Sequence, residues 1–143
     1  MTKHFLRGMA TLNFWADDLL AARDWYEKLF GIKAYFAMPE EAPAYVEFRI
    51  GDTEDEFGII DRRHAPDGMQ AGPGGAILLW HVDDLEGSFA RLIALGAKEY
   101  DPITKRGETG FATASVVDPF GNVLGVMYNP HYVAGVEARS KAA

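Results

Sequence analysis

The chain repeats one order of predicted elements, and this internal repeat limits the folds open to it more than any other feature. From Ala10 to Ala16, apolar residues alternate with a mixed set, which is typical of a strand with one buried face. Asp17-Asp18 then provides a helix N-cap, apolar residues follow at helical spacing, and Gly31 ends the helix. Three strands are predicted next, near residues 32–37, 44–50 and 56–62.

The second half returns to the same order after a glycine-rich joint. Residues 77–82 form an apolar strand, Asp83-Asp84 caps a second helix, and Gly96 ends that helix. The spacing between the two aspartate pairs nearly equals the spacing between Gly58 and Gly125, so the two copies keep one register. Three more strands are predicted near residues 97–103, 110–118 and 122–128.

Two βαβββ modules are the economical interpretation of this repeat. A four-stranded unit with one helix leaves one sheet face bare, so two such units are expected to pair their bare faces. The predicted fold class is therefore α+β, with two modules pairing into an open, incomplete barrel-like cleft. The expected layout is one domain at 9–130, made of module 1 (about 9–62), a joint (63–75) and module 2 (about 76–129), and then a C-terminal tail at 131–143. The tail lacks periodicity and is expected to be frayed from residue 133.

Composition and charge disfavour several functional classes. The 143 residues contain no cysteine, which removes disulfides, thiolate nucleophiles and iron–sulfur clusters. Lys and Arg number 14 against 21 Asp and Glu, a net charge of −7, so we expect no nucleic-acid partner. No apolar run approaches the ~20 residues of a membrane span, and the first residues do not form a signal peptide. We therefore expect no membrane partner and a cytoplasmic location.

Two motifs and their order carry a resemblance to a known family. The first is the helix end Trp25-Tyr26-Glu27-Lys28-Leu29-Phe30-Gly31, and the second is Asp118-Pro119-Phe120-Gly121-Asn122 before the last strand. Together with the two βαβββ modules, these motifs resemble the vicinal oxygen chelate superfamily, which includes glyoxalase I, bleomycin-resistance proteins and extradiol dioxygenases. The resemblance covers residues 9–129 and implies the paired-module fold given above.

The resemblance also implies where a metal ion would bind. Enzymes of this superfamily usually hold a divalent metal with His, Gln or Glu side chains on the first and last strands of each module. Carried onto this sequence, those positions are Thr11, Ile77, Gly58 and Gly125. A hydroxyl, an alkyl group and two hydrogens cannot hold a hard or borderline cation. We therefore expect no metal and no other cofactor, and we expect the two glycines to widen the floor of the cleft.

The mixed strand faces supply the candidate ligand-binding residues. These faces are expected to line the cleft, since apolar alternates such as Val46 and Phe48 should face the helix. The aromatic and aliphatic groups suit a flat or apolar ligand, and Arg49 or Glu47 would set its charge preference. The candidates are Thr11, Asn13, Trp15, Tyr45, Glu47, Arg49, Ile77, Leu79, His81 and Met127.

Glu47 and His81 are the candidate catalytic residues, and each has a structural alternative. His81 is also explained by a hydrogen bond to a neighbouring backbone group. Glu47 is also explained by a salt bridge to Arg49 or by a solvated position. The ring of Trp15, a binding candidate, is also explained as core filling.

Two functional hypotheses from different classes follow. The favoured one is a metal-free protein that binds a small hydrophobic or aromatic molecule in the inter-module cleft, as the resemblance to bleomycin-resistance proteins implies. The alternative is a metal-dependent glyoxalase-like lyase, isomerase or dioxygenase with a rearranged site, in which the substrate completes the coordination by Glu47 and His81. Acid–base catalysis by His81 without a metal is a further route. The resemblance also implies a homodimer.

Overall fold

The first of two compact units ends at Ala65 and contains one four-stranded mixed sheet with one α-helix. The structure is a computed structural model that describes residues 4–69 and 72–142. The strand order in unit 1 is β1-β4-β3-β2, with β1 parallel to β4 and the other neighbours antiparallel. In chain order the elements are β1 (Thr11–Ala16), α1 (Leu19–Phe30), β2 (Phe36–Met38), β3 (Tyr45–Ile50), β4 (Asp55–Asp61) and a short 3₁₀ helix (Arg62–His64).

The second unit begins at Pro66 and repeats this architecture. Its elements are β5 (Leu78–His81), α2 (Leu85–Ala94), β6 (Lys98–Lys105), β7 (Ala112–Val117), β8 (Val123–Tyr128) and α3 (Pro130–Ala142). The strand order is β5-β8-β7-β6, again with one parallel pair followed by antiparallel neighbours. The predicted α+β class with two βαβββ modules is confirmed, and within the described residues neither sheet closes into a barrel. The pairing of the modules around a shared cleft stays a prediction.

Aspartates begin the two main helices as predicted. The Asp18 carboxylate accepts a hydrogen bond from the Ala21 backbone N–H at 3.1 Å, and Asp84 accepts one from the Gly87 N–H at 3.0 Å. Each bond satisfies one of the N–H groups that the first turn of a helix leaves unpaired. Capping therefore accounts for Asp18 and Asp84 without a catalytic role.

An aromatic cluster forms the core of unit 1 between α1 and the sheet. The Phe57 ring lies 5.1 Å from Phe14, 5.0 Å from Tyr26, 5.4 Å from Phe30 and 6.3 Å from Phe48, measured between centroids. The core of unit 2 includes smaller apolar residues, among them Leu92, Val116 and Leu124, all fully or almost fully buried. Because these residues take one side of each sheet, the other side is left to mixed and polar residues.

The structure differs from the sequence predictions in two places, before β2 and after β8. A strand was expected near 32–37, but β2 begins only at Phe36. Gly31 ends α1 in the left-handed region, and the Glu27 carboxylate then accepts the Ala34 N–H at 3.0 Å, so the chain turns before it joins the sheet. The tail was expected to be frayed, but it forms α3 as far as the described residues extend. The Tyr132 ring of α3 stacks on His81 of β5, a long-range contact that periodicity does not reveal.

Among the described helices, none combines the length and the apolar content needed to cross a bilayer.

Protonation of Asp61 is expected to weaken the end of β4. The Arg63 side chain and backbone N–H donate hydrogen bonds to the buried Asp61 carboxylate and lower its pKa from 3.8 to about 2. Because the folded-state pKa is depressed, the stabilisation is present above pH 3.8 and is lost as the pH falls through about 2. Urea unfolding should therefore show a larger stability difference between wild type and Asp61→Asn at neutral pH than near pH 2. An equal difference at both pH values would contradict this assignment.

Candidate functional site

The side of the unit 1 sheet that points away from α1 carries polar and aromatic side chains. Strand pairing places Glu56 between Thr11 and Arg49, and it places Gly58 between Asn13 and Glu47. We call this surface the unit 1 polar face, which consists of Thr11, Asn13, Trp15, Tyr35, Tyr45, Glu47, Arg49 and Glu56. The structure thus brings the six candidates predicted in unit 1 onto one face.

Glu56 is the centre of a charged network on the unit 1 polar face. One of its carboxylate oxygens accepts the Thr11 hydroxyl at 3.0 Å, and the other accepts Nε–H and Nη2–H of Arg49 at 3.2 and 3.1 Å. These hydrogen bonds, the Thr11 bond first, lower the pKa of Glu56. The Arg49 guanidinium also lies 4.4 Å from the centroid of the Tyr35 ring, within the range of a cation–π contact. Arg49 is therefore held in place by both partners.

Glu47 lies beside this network and accepts hydrogen bonds from two tyrosines. The hydroxyls of Tyr35 and Tyr45 each donate to one of its carboxylate oxygens. The salt bridge to Arg49 that was considered for Glu47 forms with Glu56 instead. Burial, and then the negative charge of Glu56, raise the pKa of Glu47 and also that of Tyr45. The charged forms of Glu47 and Tyr45 are therefore both disfavoured, while both groups remain able to hydrogen-bond.

Gly58 and Gly125 do not widen the floor of either sheet face, contrary to the expectation from the sequence. A Cβ atom at Gly58 would collide with the Asn13 Oδ1 and would lie 2.5 Å from the Tyr45 hydroxyl oxygen. A Cβ atom at Gly125 would collide with the Leu79 side chain and would lie 2.7 Å from the backbone oxygen of Leu78. The space that a side chain would occupy at these two positions is already filled by Asn13 and Tyr45 at Gly58 and by Leu79 at Gly125.

Gly125→Ala is expected to cost roughly 1–3 kcal/mol of the free energy of unfolding, the usual cost of overpacking a well-filled site. The added methyl group meets a backbone oxygen in the neighbouring strand, so the strand itself must shift. Gly58→Ala is the matched control, because the atoms it meets are the ends of the Asn13 and Tyr45 side chains, which can rotate away. Urea unfolding of both variants measures the difference. A Gly58→Ala loss as large as the Gly125→Ala loss would contradict the explanation.

A hollow of about 340 Å³ lies on the corresponding face of the unit 2 sheet. We call it the unit 2 hollow, and it is lined by Ile77, Leu79, Asp101, Arg106, Phe111, Thr113, Ala114 and Ser115. Pairing across the sheet aligns Leu79, Gly125, Ser115 and Asp101 in one row, which explains how residues from four strands meet there. Two of the candidates predicted in unit 2, Ile77 and Leu79, line this hollow.

His81 and Met127, the other two candidates in unit 2, are not among the residues that line the hollow. The His81 Nδ1 accepts the Asn129 backbone N–H at 3.1 Å, so its Nε2–H is free to donate to Asp83 Oδ1 at 3.2 Å. The ring also stacks on Tyr132 at 4.8 Å. The hydrogen bond to a backbone group that was considered for His81 is therefore present. Met127 is buried.

Sequence reasoning missed Tyr35 and Glu56 in unit 1 and the polar lining of the unit 2 hollow. Ser115 could have been found from the repeat, since it lies opposite Gly125 as Glu47 lies opposite Gly58. The polar residues missed in unit 2 are Asp101, Arg106, Thr113 and Ser115. No pattern marked Asp101 or Arg106, because shifts of register in β6 interrupt the alternation between Glu99 and Thr104.

The donor set does not fit a resident divalent metal. Within residues 4–69 and 72–142, no group of three or more His, Asp or Glu side chains is placed to hold a metal ion. Glu56 is engaged by Thr11 and Arg49, and Glu47 accepts two tyrosine hydroxyls. Oxygen and nitrogen ligands of a divalent site must converge on one point, which these side chains do not do. No chemical step is therefore assigned to a metal.

The fold is shared with solved structures of low sequence identity. A glyoxalase-related enzyme from Fulvimarina pelagi aligns at a TM-score of 0.66 and 20% identity, over 87% of this chain and 90% of that one. The lactoylglutathione lyase from Agrobacterium tumefaciens aligns at 0.64 and 21% identity, over 87% and 96%. A glyoxalase/bleomycin resistance protein from Albidiferax ferrireducens T118 aligns at 0.63 and 21% identity, over 85% and 98%. At these identities the structural matches establish the fold alone.

Sequence comparison establishes the family. No curated protein matches the chain significantly. A family model, however, matches residues 8–126, which include both βαβββ modules almost to the end of the last strand. The chain therefore belongs to the Glyoxalase/Bleomycin resistance protein/Dioxygenase superfamily, as its repeat and its two motifs predicted.

Proposed function

We propose that this chain binds a small hydrophobic or aromatic molecule without a resident metal ion. The observation that carries the proposal is the unit 2 hollow, where Ile77, Leu79 and Phe111 form apolar walls beside a few polar groups. Its volume of about 340 Å³ lies in the range of small-molecule sites, which are mostly apolar with a small number of placed polar groups. Binding would act through burial of apolar surface and ring contacts.

The unit 1 polar face, taken by itself, offers a further binding surface in this proposal. The rings of Trp15 and Tyr45 supply flat contact area, and Thr11 and Asn13 supply hydrogen-bonding groups. Arg49 and Glu47 bias the charge of what binds there, although each already has partners within unit 1. We assign binding roles to these residues and to Ile77 and Leu79, whereas His81 and Met127 lie outside the lining of the unit 2 hollow.

The family description supports a binding function as much as an enzymatic one, since it names bleomycin resistance proteins beside glyoxalases and dioxygenases. Metal-dependent chemistry would need a convergent donor set, and the described residues lack one. Metal analysis of protein purified without chelator is the direct test, and a stoichiometric divalent ion would contradict the proposal. A homodimer and a cytoplasmic location remain predictions, and light scattering after gel filtration tests the first.

Phe111→Ala is expected to remove at least half of the thermal stabilisation that indole or 2-naphthol gives the wild-type protein. The Phe111 ring is one wall of the unit 2 hollow, so its loss takes away both ring contact and enclosure. Phe5→Ala is the matched control, because Phe5 is 96% exposed and lies outside the hollow. Differential scanning fluorimetry with each compound measures the shift in Tm. An absent shift in the wild type, or an equal shift in Phe111→Ala, would overturn this role.

A further inference from the structure

Ser115 brings a hydroxyl-bearing side chain to the wall of the unit 2 hollow. The residue is 3% exposed, lies in the middle of β7 and lines the hollow. The neighbouring Thr113 hydroxyl accepts Nε–H of Arg106 at 3.2 Å. A serine hydroxyl can donate one hydrogen bond and accept others, so Ser115 can bind a polar atom of a molecule in the hollow.

Arg106 brings a positive charge to the same hollow and is held there by two neighbours. Its Nε–H donates to Thr113, and its Nη2 donates to the Asp101 carboxylate at 3.4 Å. A guanidinium has five N–H donors, so three remain after these two bonds. The side chain is 47% exposed, which leaves its outer edge open to a ligand. Planar guanidinium groups pair best with carboxylates through two parallel hydrogen bonds.

Asp101 limits the charge that this site accepts. Its carboxylate lines the hollow beside Arg106, so the pair has no net charge before a ligand binds. A single carboxylate can still take the free edge of the guanidinium, whereas a dianionic phosphate would be repelled more strongly by Asp101. The remaining walls are apolar and include the Phe111 ring, which favours a flat body.

We propose that the unit 2 hollow binds a small aromatic monocarboxylate, with the carboxylate on Arg106, the ring between Leu79 and Phe111, and a ring hydroxyl on Ser115. The proposal rests on the proposed function and names its ligand class. It predicts an order of affinity among three probes of nearly one size: 4-hydroxybenzoate above benzoate, which lacks the hydroxyl, and above 4-hydroxybenzamide, which lacks the charge.

Isothermal titration of the full chain with these probes tests the assignment. Arg106→Gln should weaken 4-hydroxybenzoate about tenfold, since a charge-assisted bond at a half-exposed site lies near the lower end of its usual range. The same variant should leave 4-hydroxybenzamide almost unchanged. Arg139→Gln, which removes one positive charge from an exposed position of α3, is the matched control and should change neither affinity.

Ser115→Ala provides the second, independent readout. It should reduce the affinity for 4-hydroxybenzoate to that for benzoate, and it should leave the affinity for benzoate itself unchanged. Because the substitution removes a single oxygen atom at the wall of the hollow, the variant is expected to fold, and an unchanged affinity for benzoate would show that the hollow is intact.

The proposal would be overturned by equal affinity for 4-hydroxybenzoate and 4-hydroxybenzamide, or by Arg106→Gln and Arg139→Gln having the same effect. If inorganic phosphate displaced 4-hydroxybenzoate at a concentration as low as that of the probe, the site would bind anions without the proposed selectivity. That result would also overturn the proposal. If indole and 2-naphthol still raise the Tm while no carboxylate binds, the ligand class fails and the proposed function stands. If none of these compounds binds, both fail.

Discussion

Phe57→Ala is expected to lose about 3–5 kcal/mol of the free energy of unfolding, the usual range for removing a buried ring. Phe57 is 1% exposed and lies at the centre of the aromatic cluster of unit 1. Its ring contacts four others, which belong to β1, α1 and β3, so its loss leaves a cavity where three elements meet. Because small domains are stable by only about 5–15 kcal/mol, the loss is a large fraction of the total.

Phe57→Leu separates lost volume from lost ring contacts. Leucine keeps much of the apolar volume and removes only the edge-to-face and tilted geometry, so a loss of about 1–2 kcal/mol is expected. Urea unfolding followed by tryptophan fluorescence and by far-ultraviolet circular dichroism measures both variants. A Phe57→Ala loss below about 1 kcal/mol would show that the cluster does not hold unit 1 together.

Asp118→Ala is expected to lose roughly 2–4 kcal/mol, because the carboxylate organises the turn between β7 and β8. The residue is 3% exposed, and one carboxylate oxygen accepts the backbone N–H groups of Phe120 at 2.9 Å and Asn122 at 2.8 Å. The Asn122 side-chain amide donates to the other oxygen at 3.1 Å. Alanine would remove these three hydrogen bonds at the point where the chain enters β8.

Asp118→Asn is the informative control for the turn. Its amide oxygen can still accept the two backbone N–H groups, while its NH₂ group faces a donor from Asn122. A loss smaller than that of Asp118→Ala is therefore expected, measured by urea unfolding at one pH. If the asparagine variant loses as much as the alanine variant, the charge and not the turn geometry is what the fold requires.

The sequence predicted the elements well where the contrast between faces was strong. In β3, Val46 and Phe48 are buried while Glu47 and Arg49 are not, as their alternation indicated. In β7 the small residues around Ser115 offer little contrast between the two faces, so alternation did not place Ser115 in a hollow, although the repeat marks its position opposite Gly125. Strand alternation is informative only when the two faces differ in polarity.

Local signals also marked the helix starts and the turn before the last strand. Asp18 and Asp84 cap helices, and Asp118 holds its turn, because each side chain bonds to backbone groups two to four residues away. Such interactions depend on nearby residues alone, and a single sequence is enough to propose them.

The hydrogen-bond and salt-bridge partners of the candidate site residues were not specified by local sequence. Arg49 pairs with Glu56 and not with Glu47, since β4 runs beside β3 and sets the Glu56 carboxylate directly opposite the guanidinium. His81 accepts a backbone N–H from Asn129, 48 residues along the chain. Helix caps and turns come from interactions over a few residues, and the repeat is a pattern in the sequence itself, so the printed sequence specifies all three. Which polar groups meet depends on strands brought together from distant positions, and that became visible only in three dimensions.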